Sequence, residues 1–140
     1  MVAQLTINYW AVLVSGIVSM IIGGLWYSPV LFGKLWMKLS NISEKQIEEA
    51  KKKGMAKSYV IMFVSTLVMG YILAHFVGYV QAKTVTDAFM LALWTWLGFI
   101  VTVLISSVLW EGKSYKLYLL NIFHYLVTLV VMSIILTLWV

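Results

Sequence analysis

Asn121, His124, Tyr125 and Thr128 follow one another at spacings of three and four, so a single helical face carries an amide, an imidazole, a phenol and a hydroxyl. Set inside an apolar run, such groups are what a protein needs to hold a polar solute or move a proton at membrane depth. Thr102 and Ser106, with Ser107, and Ser65 with Thr66 fall at comparable depth in neighbouring runs and extend this candidate polar face. The plainer alternative, which the residues favour, is a set of interhelical hydrogen bonds worth about 0.6 kcal/mol each that merely hold the helices together. The remaining titratable groups form no catalytic set. His75 lies about 25 Å along its own run from the end that His124 approaches, at 1.5 Å per residue, so the two imidazoles cannot share a metal, and no zinc-type spacing is present. The sole aspartate, Asp87, falls at a surface, which leaves no Ser/His/Asp arrangement. Without cysteine there are no thiolate ligands, thiol nucleophiles or disulfides. The expectation is a protein with no enzymatic activity, no metal and no cofactor.

Four apolar runs must position these groups: residues 8–26, 58–79, 88–110 and 118–139. A span needs about 20 mostly apolar residues, and hydrocarbon leaves backbone groups only internal partners, so each run must be a helix. The composition, 63% hydrophobic and 11% charged, lies far from the soluble balance of about 25% charged. The fold class read from this is all-α: an integral membrane bundle of four transmembrane helices in a single domain over residues 1–140. The first run lacks a basic leader and is followed by Trp26, Tyr27 and Pro29, so it reads as a retained span and not a signal peptide.

Charge sets the expected orientation. Nine of the ten lysines sit in the first and third connections, and Lys83 alone in the second. Since short cytoplasmic loops carry the Lys/Arg excess, both termini should lie outside the cell membrane and the lysine-rich segments in the cytoplasm. Trp10, Tyr79 and Trp139 then form the outer aromatic belt, with Trp26, Tyr59, Trp110 and Tyr118 the inner one. The lysines are placed to attract anionic lipid headgroups, at about 1 kcal/mol each. There is no basic domain for nucleic acid.

The connection over residues 27–57 has two parts. Phe32, Leu35, Trp36 and Leu39 share one face while Lys34 and Lys38 point away, which predicts a short amphipathic helix lying in the interface. Trp26, Tyr27, Pro29, Phe32 and Trp36, with those two lysines, read as its interfacial anchors. Ser43 with Gln46 then opens a cytoplasmic connecting helix through a capping box, and Gly54 is placed to end it.

Small residues recur every fourth position within the spans. Ala11, Ser15, Ser19 and Gly23 form one stripe, Thr66, Gly70, Ala74 and Gly78 a second, and Gly98, Thr102 and Ser106 a shorter third. Stripes of this kind let backbones approach closely, which in lipid replaces the hydrophobic effect as the source of association. Gly16, off the first stripe, should tolerate enlargement better than Gly70 or Ser19.

Gly23, Gly24, Leu25, Trp26, Tyr27, Ser28, Pro29, then Phe32, Gly33 and Trp36, followed by Met55 to Tyr59 and later Glu111, Gly112 and Lys113, resemble the family called domain of unknown function 1761. The likeness covers nearly the whole chain, and the Trp-Tyr-Ser-Pro turn leading into Phe-Gly is its most specific part. The resemblance implies a small four-helix integral membrane protein, mainly prokaryotic, and brings no catalytic residues.

Two classes of function fit these residues. One is a non-catalytic bundle, a homo-oligomer or subunit of a membrane assembly, that interacts with lipids or membrane partners. The other is a small transporter or channel using the polar face of the last span. No carboxylate lies mid-membrane, which favours the first. The orientation is open to test because the chain is free of cysteine: an impermeant thiol reagent applied to intact cells should label a cysteine placed at Lys83 and not one placed at Lys52. The reverse pattern would invert the topology.

Overall fold

A computed structural model of the chain describes residues 5–139 and contains four helices long and apolar enough to cross a membrane. They are Tyr9–Trp26, Ala56–Tyr79, Val85–Leu109 and Tyr115–Leu138, hereafter the first to fourth spans. Local chemistry sets their starts. Asn8 accepts from the backbone of Trp10 and Ala11 ahead of the first span, Thr84 and Asp87 form a capping box ahead of the third, and Ser114 caps the fourth. Each supplies an acceptor to N–H groups that have no partner within the helix.

Between the first two spans lie the surface helix Gly33–Ser40 and the connecting helix Glu44–Lys53. Ser43 and Gln46 cap the latter reciprocally. A tight turn joins the surface helix to the first span: Phe32 N–H donates to the Trp26 carbonyl at 2.9 Å and Gly33 N–H to that of Ser28 at 2.8 Å. A Cβ on residue 33 would stand 2.6 Å from the Tyr27 carbonyl oxygen. Glycine is therefore a steric requirement of the turn.

The fourth span is the hub. It packs along the first, the second and the third, whereas the first and third have no substantial contact and the second meets the third only slightly. Accordingly 44% of its most apolar window is buried, against 11% for the third span. The core is thus a triangle of the first, second and fourth spans, with the third docked on the far side of the fourth through Ala88, Ala92 and Trp96.

Small residues make the triangle close. Ser15 and Met132 are fully buried at its middle, and a Cβ on Gly70 would come within 2.8 Å of Ser15 Oγ and 3.4 Å of Met132 Cε. Gly16 is also an interface position, contrary to the expectation from stripe phase: its Cβ would meet Leu67 at 2.8 Å. The first span turns a broad face to the second, wider than a single row of every fourth residue.

The third stripe behaves differently. Gly98, Thr102 and Ser106 lie exposed on the outer surface of the third span. A π-helical turn at Leu97–Val101 interrupts the span here, but Trp94 and Leu97 are already exposed where it begins, so the stripe continues an outward face of the third span. The Val101 carbonyl is taken by the Tyr118 hydroxyl of the fourth span at 2.8 Å, which leaves the irregular ladder satisfied at membrane depth.

Replacing Gly70 with leucine should overpack the triangle and cost about 1–3 kcal/mol, read as a lowered melting temperature in detergent. Gly98→Leu, which meets nothing within 4 Å, should melt like the parent.

Candidate functional site

The fourth span presents His124 and Thr128 to the triangle. Both are buried, at 6% and 2% exposure, and both face a cavity of about 420 Å³ between the first, second and fourth spans. Ser19, Gly23 and Gly24 line it from the first span, Tyr59, Thr66 and Met69 from the second, and His124, Tyr125 and Thr128 from the fourth. It lies at the lysine-rich end of the bundle, where Tyr27 and Trp36 close it over.

These two aromatics are joined to the fourth span. Tyr27 donates its hydroxyl hydrogen to Asn121 Oδ1 at 2.7 Å, and its ring lies 5.2 Å from that of His124 and 5.9 Å edge-on to Trp36. The Trp26 ring lies tilted at 4.7 Å from Phe32 and at 6.0 Å from His124. Tyr27 and Trp36 thus fold back over the cavity, Trp26 packs beside Phe32 and His124, and Pro29, Lys34 and Lys38 stay exposed. Burial raises the Tyr27 phenol well above its ordinary pKa of 10.0, and the adjacent Tyr125 adds to the effect. Tyr27 therefore remains a protonated donor throughout the physiological range.

The hydroxyls of the polar seam do not bridge helices. Ser15 donates to the Val12 carbonyl at 2.8 Å, Thr66 to that of Phe63 at 2.8 Å and Thr128 to that of His124 at 2.9 Å, each within its own helix. Interhelical hydrogen bonding, the plainer reading of these residues, is carried instead by Tyr27 to Asn121, Trp96 to the Ile122 carbonyl and Tyr118 to the Val101 carbonyl. His124 Nε2 stands 3.5 Å from Thr128 Oγ1. Its Nδ1 and the indole nitrogen of Trp26 are buried without hydrogen-bond partners.

Of the expected polar face, Asn121, His124, Tyr125 and Thr128 come together here. Thr102 and Ser106 do not: they lie exposed on the third span, across the fourth span from the cavity, and bond back to Gly98 and Val103. Ser65 is likewise exposed. His75 is held by the Tyr71 carbonyl at 2.9 Å near the opposite end of the second span. The contribution of Tyr27, Trp36 and Tyr59 to the cavity was the part missed from sequence, although the tight Trp-Tyr-Ser-Pro turn, which must fold the chain back on itself, carried the signal.

A second cavity, of about 630 Å³, occupies the other end of the same triangle, lined among others by Asn8, Ala11, Ala74, Gly78, Gln81 and Lys83. Between the two lies the packed layer of Val12, Ser15, Gly70 and Met132.

The sequence profile of the family described as protein of unknown function DUF1761 matches residues 10–137. The chain belongs to this family. The match takes in all four spans and the turn over the cavity. No curated protein and no solved structure matches the chain.

Removing the Tyr27 hydroxyl should cost about 1 kcal/mol, the net worth of one such bond with Asn121 left unpaired. Because the folded phenol titrates above the unfolded one, its contribution is fully present below pH of about 10 and is lost as pH rises beyond it. Melting in detergent over a pH series should therefore show the parent losing part of its advantage over Tyr27→Phe only on the alkaline side.

Proposed function

We propose that the protein is a small non-enzymatic carrier of the cell membrane, whose cavity at His124 receives a small solute from the cytoplasmic side. The observation that carries this reading is the pair of cavities at opposite ends of one three-helix seam, separated only by the Ser15, Gly70 and Met132 layer. Two cavities about a packed middle form an arrangement that alternating access between the faces of a membrane can use. The lysine excess supports the assignment of the His124 cavity to the cytoplasmic side. No carboxylate and no lysine lines that cavity. It is a poor host for compact, strongly hydrated ions, which need fixed charges or rings of carbonyls to replace their water.

A purely architectural bundle is supported less well, because Ser15, Thr66 and Thr128 bond within their own helices and do not cross-link the three spans around the cavity. Two features of that reading remain part of the proposal. The surface helix, with Lys34 and Lys38 exposed, is suited to lie amphipathically in the interface against anionic lipid headgroups. The outer face of the third span, bearing Gly98, Thr102 and Ser106, is open to a second copy or another membrane subunit.

Purified protein in proteoliposomes tests the carrier reading. The parent should raise the permeability to small organic solutes above that of empty vesicles, and both Gly23→Leu, which fills the cavity beside His124, and His124→Leu should return it toward baseline with helicity unchanged by circular dichroism. Parent vesicles no more permeable than empty ones, across the solute panel, would return the protein to the scaffold class.

A further inference from the structure

We infer that the cavity at His124 is a site for a quaternary ammonium group. The inference deepens the reading of that cavity as a binding site and names what it takes. Its wall is an arc of rings. Trp36 meets Tyr27 at 5.9 Å, Tyr27 meets His124 at 5.2 Å and His124 meets Tyr125 at 4.9 Å, and Tyr59 completes the lining from the second span. Aromatic faces attract a cation within about 6 Å through the ring quadrupole, most strongly when the pair is desolvated, and cages of such rings select alkylated ammonium groups.

The rest of the lining points the same way. Its aliphatic part is methionine and glycine, with Met20, Met62 and Met69 supplying soft, adaptable contact for methyl groups. With no carboxylate among the lining residues, a primary ammonium would lose its water and find no salt bridge, which leaves its charge uncompensated. A trimethylammonium group spreads its charge over methyls and has no N–H to satisfy, so it surrenders less on entry. The volume of about 420 Å³ accommodates it with room for a short chain. The same chemistry is offered by a free solute such as choline and by the headgroup of a choline phospholipid.

Equilibrium dialysis of the maltoside-solubilised full chain against labelled tetramethylammonium chloride tests the inference. Saturable binding is expected, displaced by choline and not by its neutral isostere, in which a tert-butyl group replaces trimethylammonium. Trp36→Leu, outside the spans and so compatible with an intact fold, should weaken binding about tenfold, the loss expected for one desolvated cation and indole pair. Tyr125→Leu should weaken it similarly, whereas Tyr125→Phe, which keeps the ring, should stay within about threefold of the parent.

A parallel arm uses short-chain phosphatidylcholine and phosphatidylglycerol as competitors. Displacement by the choline lipid at lower concentration than free choline assigns the group to a headgroup, and the opposite order assigns it to a free solute. Absence of tetramethylammonium binding, equal displacement by the neutral isostere, or unchanged affinity in both leucine variants would overturn the inference. Dialysis requires no passage across a bilayer, so binding without vesicle flux removes the carrier reading alone, and flux without binding removes this one alone.

Discussion

The structure depends on the close approach of three backbones at Ser15, Gly70 and Met132. In hydrocarbon no water is released when apolar side chains meet, so helices associate only where atoms can pack at short range. Gly70 permits that range because it has no Cβ, and Ser15 fills the space a Cβ would need. Ser15 also folds its hydroxyl onto its own helix, which lets a polar residue sit fully buried without demanding a partner from a neighbour. Above and below this layer the small residues Ser19, Gly23 and Gly24 at one end, and Ala11, Ala74 and Gly78 at the other, leave the space that forms the two cavities.

The cavity at His124 owes its cover to covalent proximity. The first span runs straight into the turn from Trp26 to Gly33, and the turn returns the chain over the helix end it has just left. Gly33 makes the return sharp enough for Tyr27 and Trp36 to face the fourth span. The bond from Tyr27 to Asn121 then couples the lid to the hub helix. A shift of the fourth span against the first two would change both the cavity and its cover through that bond.

The third span shows how a helix can belong to a membrane domain without belonging to its core. It meets the rest through the fourth span, and its π-helical turn is matched by a tyrosine on that same helix. Its opposite face carries Trp94, Phe99 and Val103, more than half exposed. In lipid this is no penalty, since acyl chains solvate such residues as well as a protein interior does.

The four spans and the Trp-Tyr-Ser-Pro turn were legible in the chain, because each is decided by local chemistry: hydropathy over about 20 residues, and a proline that ends a helix. The first two small-residue stripes were legible too, since close packing at Gly70 needs only a missing side chain. What tertiary structure alone decided is which polar groups share a space. Thr102 and Ser106 match His124 in depth, yet they continue the outward face that Trp94 and Gly98 present on the third span. Tyr27 and Trp36, read as interfacial anchors, also line the cavity beside His124. Depth along a helix follows from counting residues at 1.5 Å each, but azimuth depends on every turn between two positions and on which neighbour the helix meets, and neither is written in the sequence of one span.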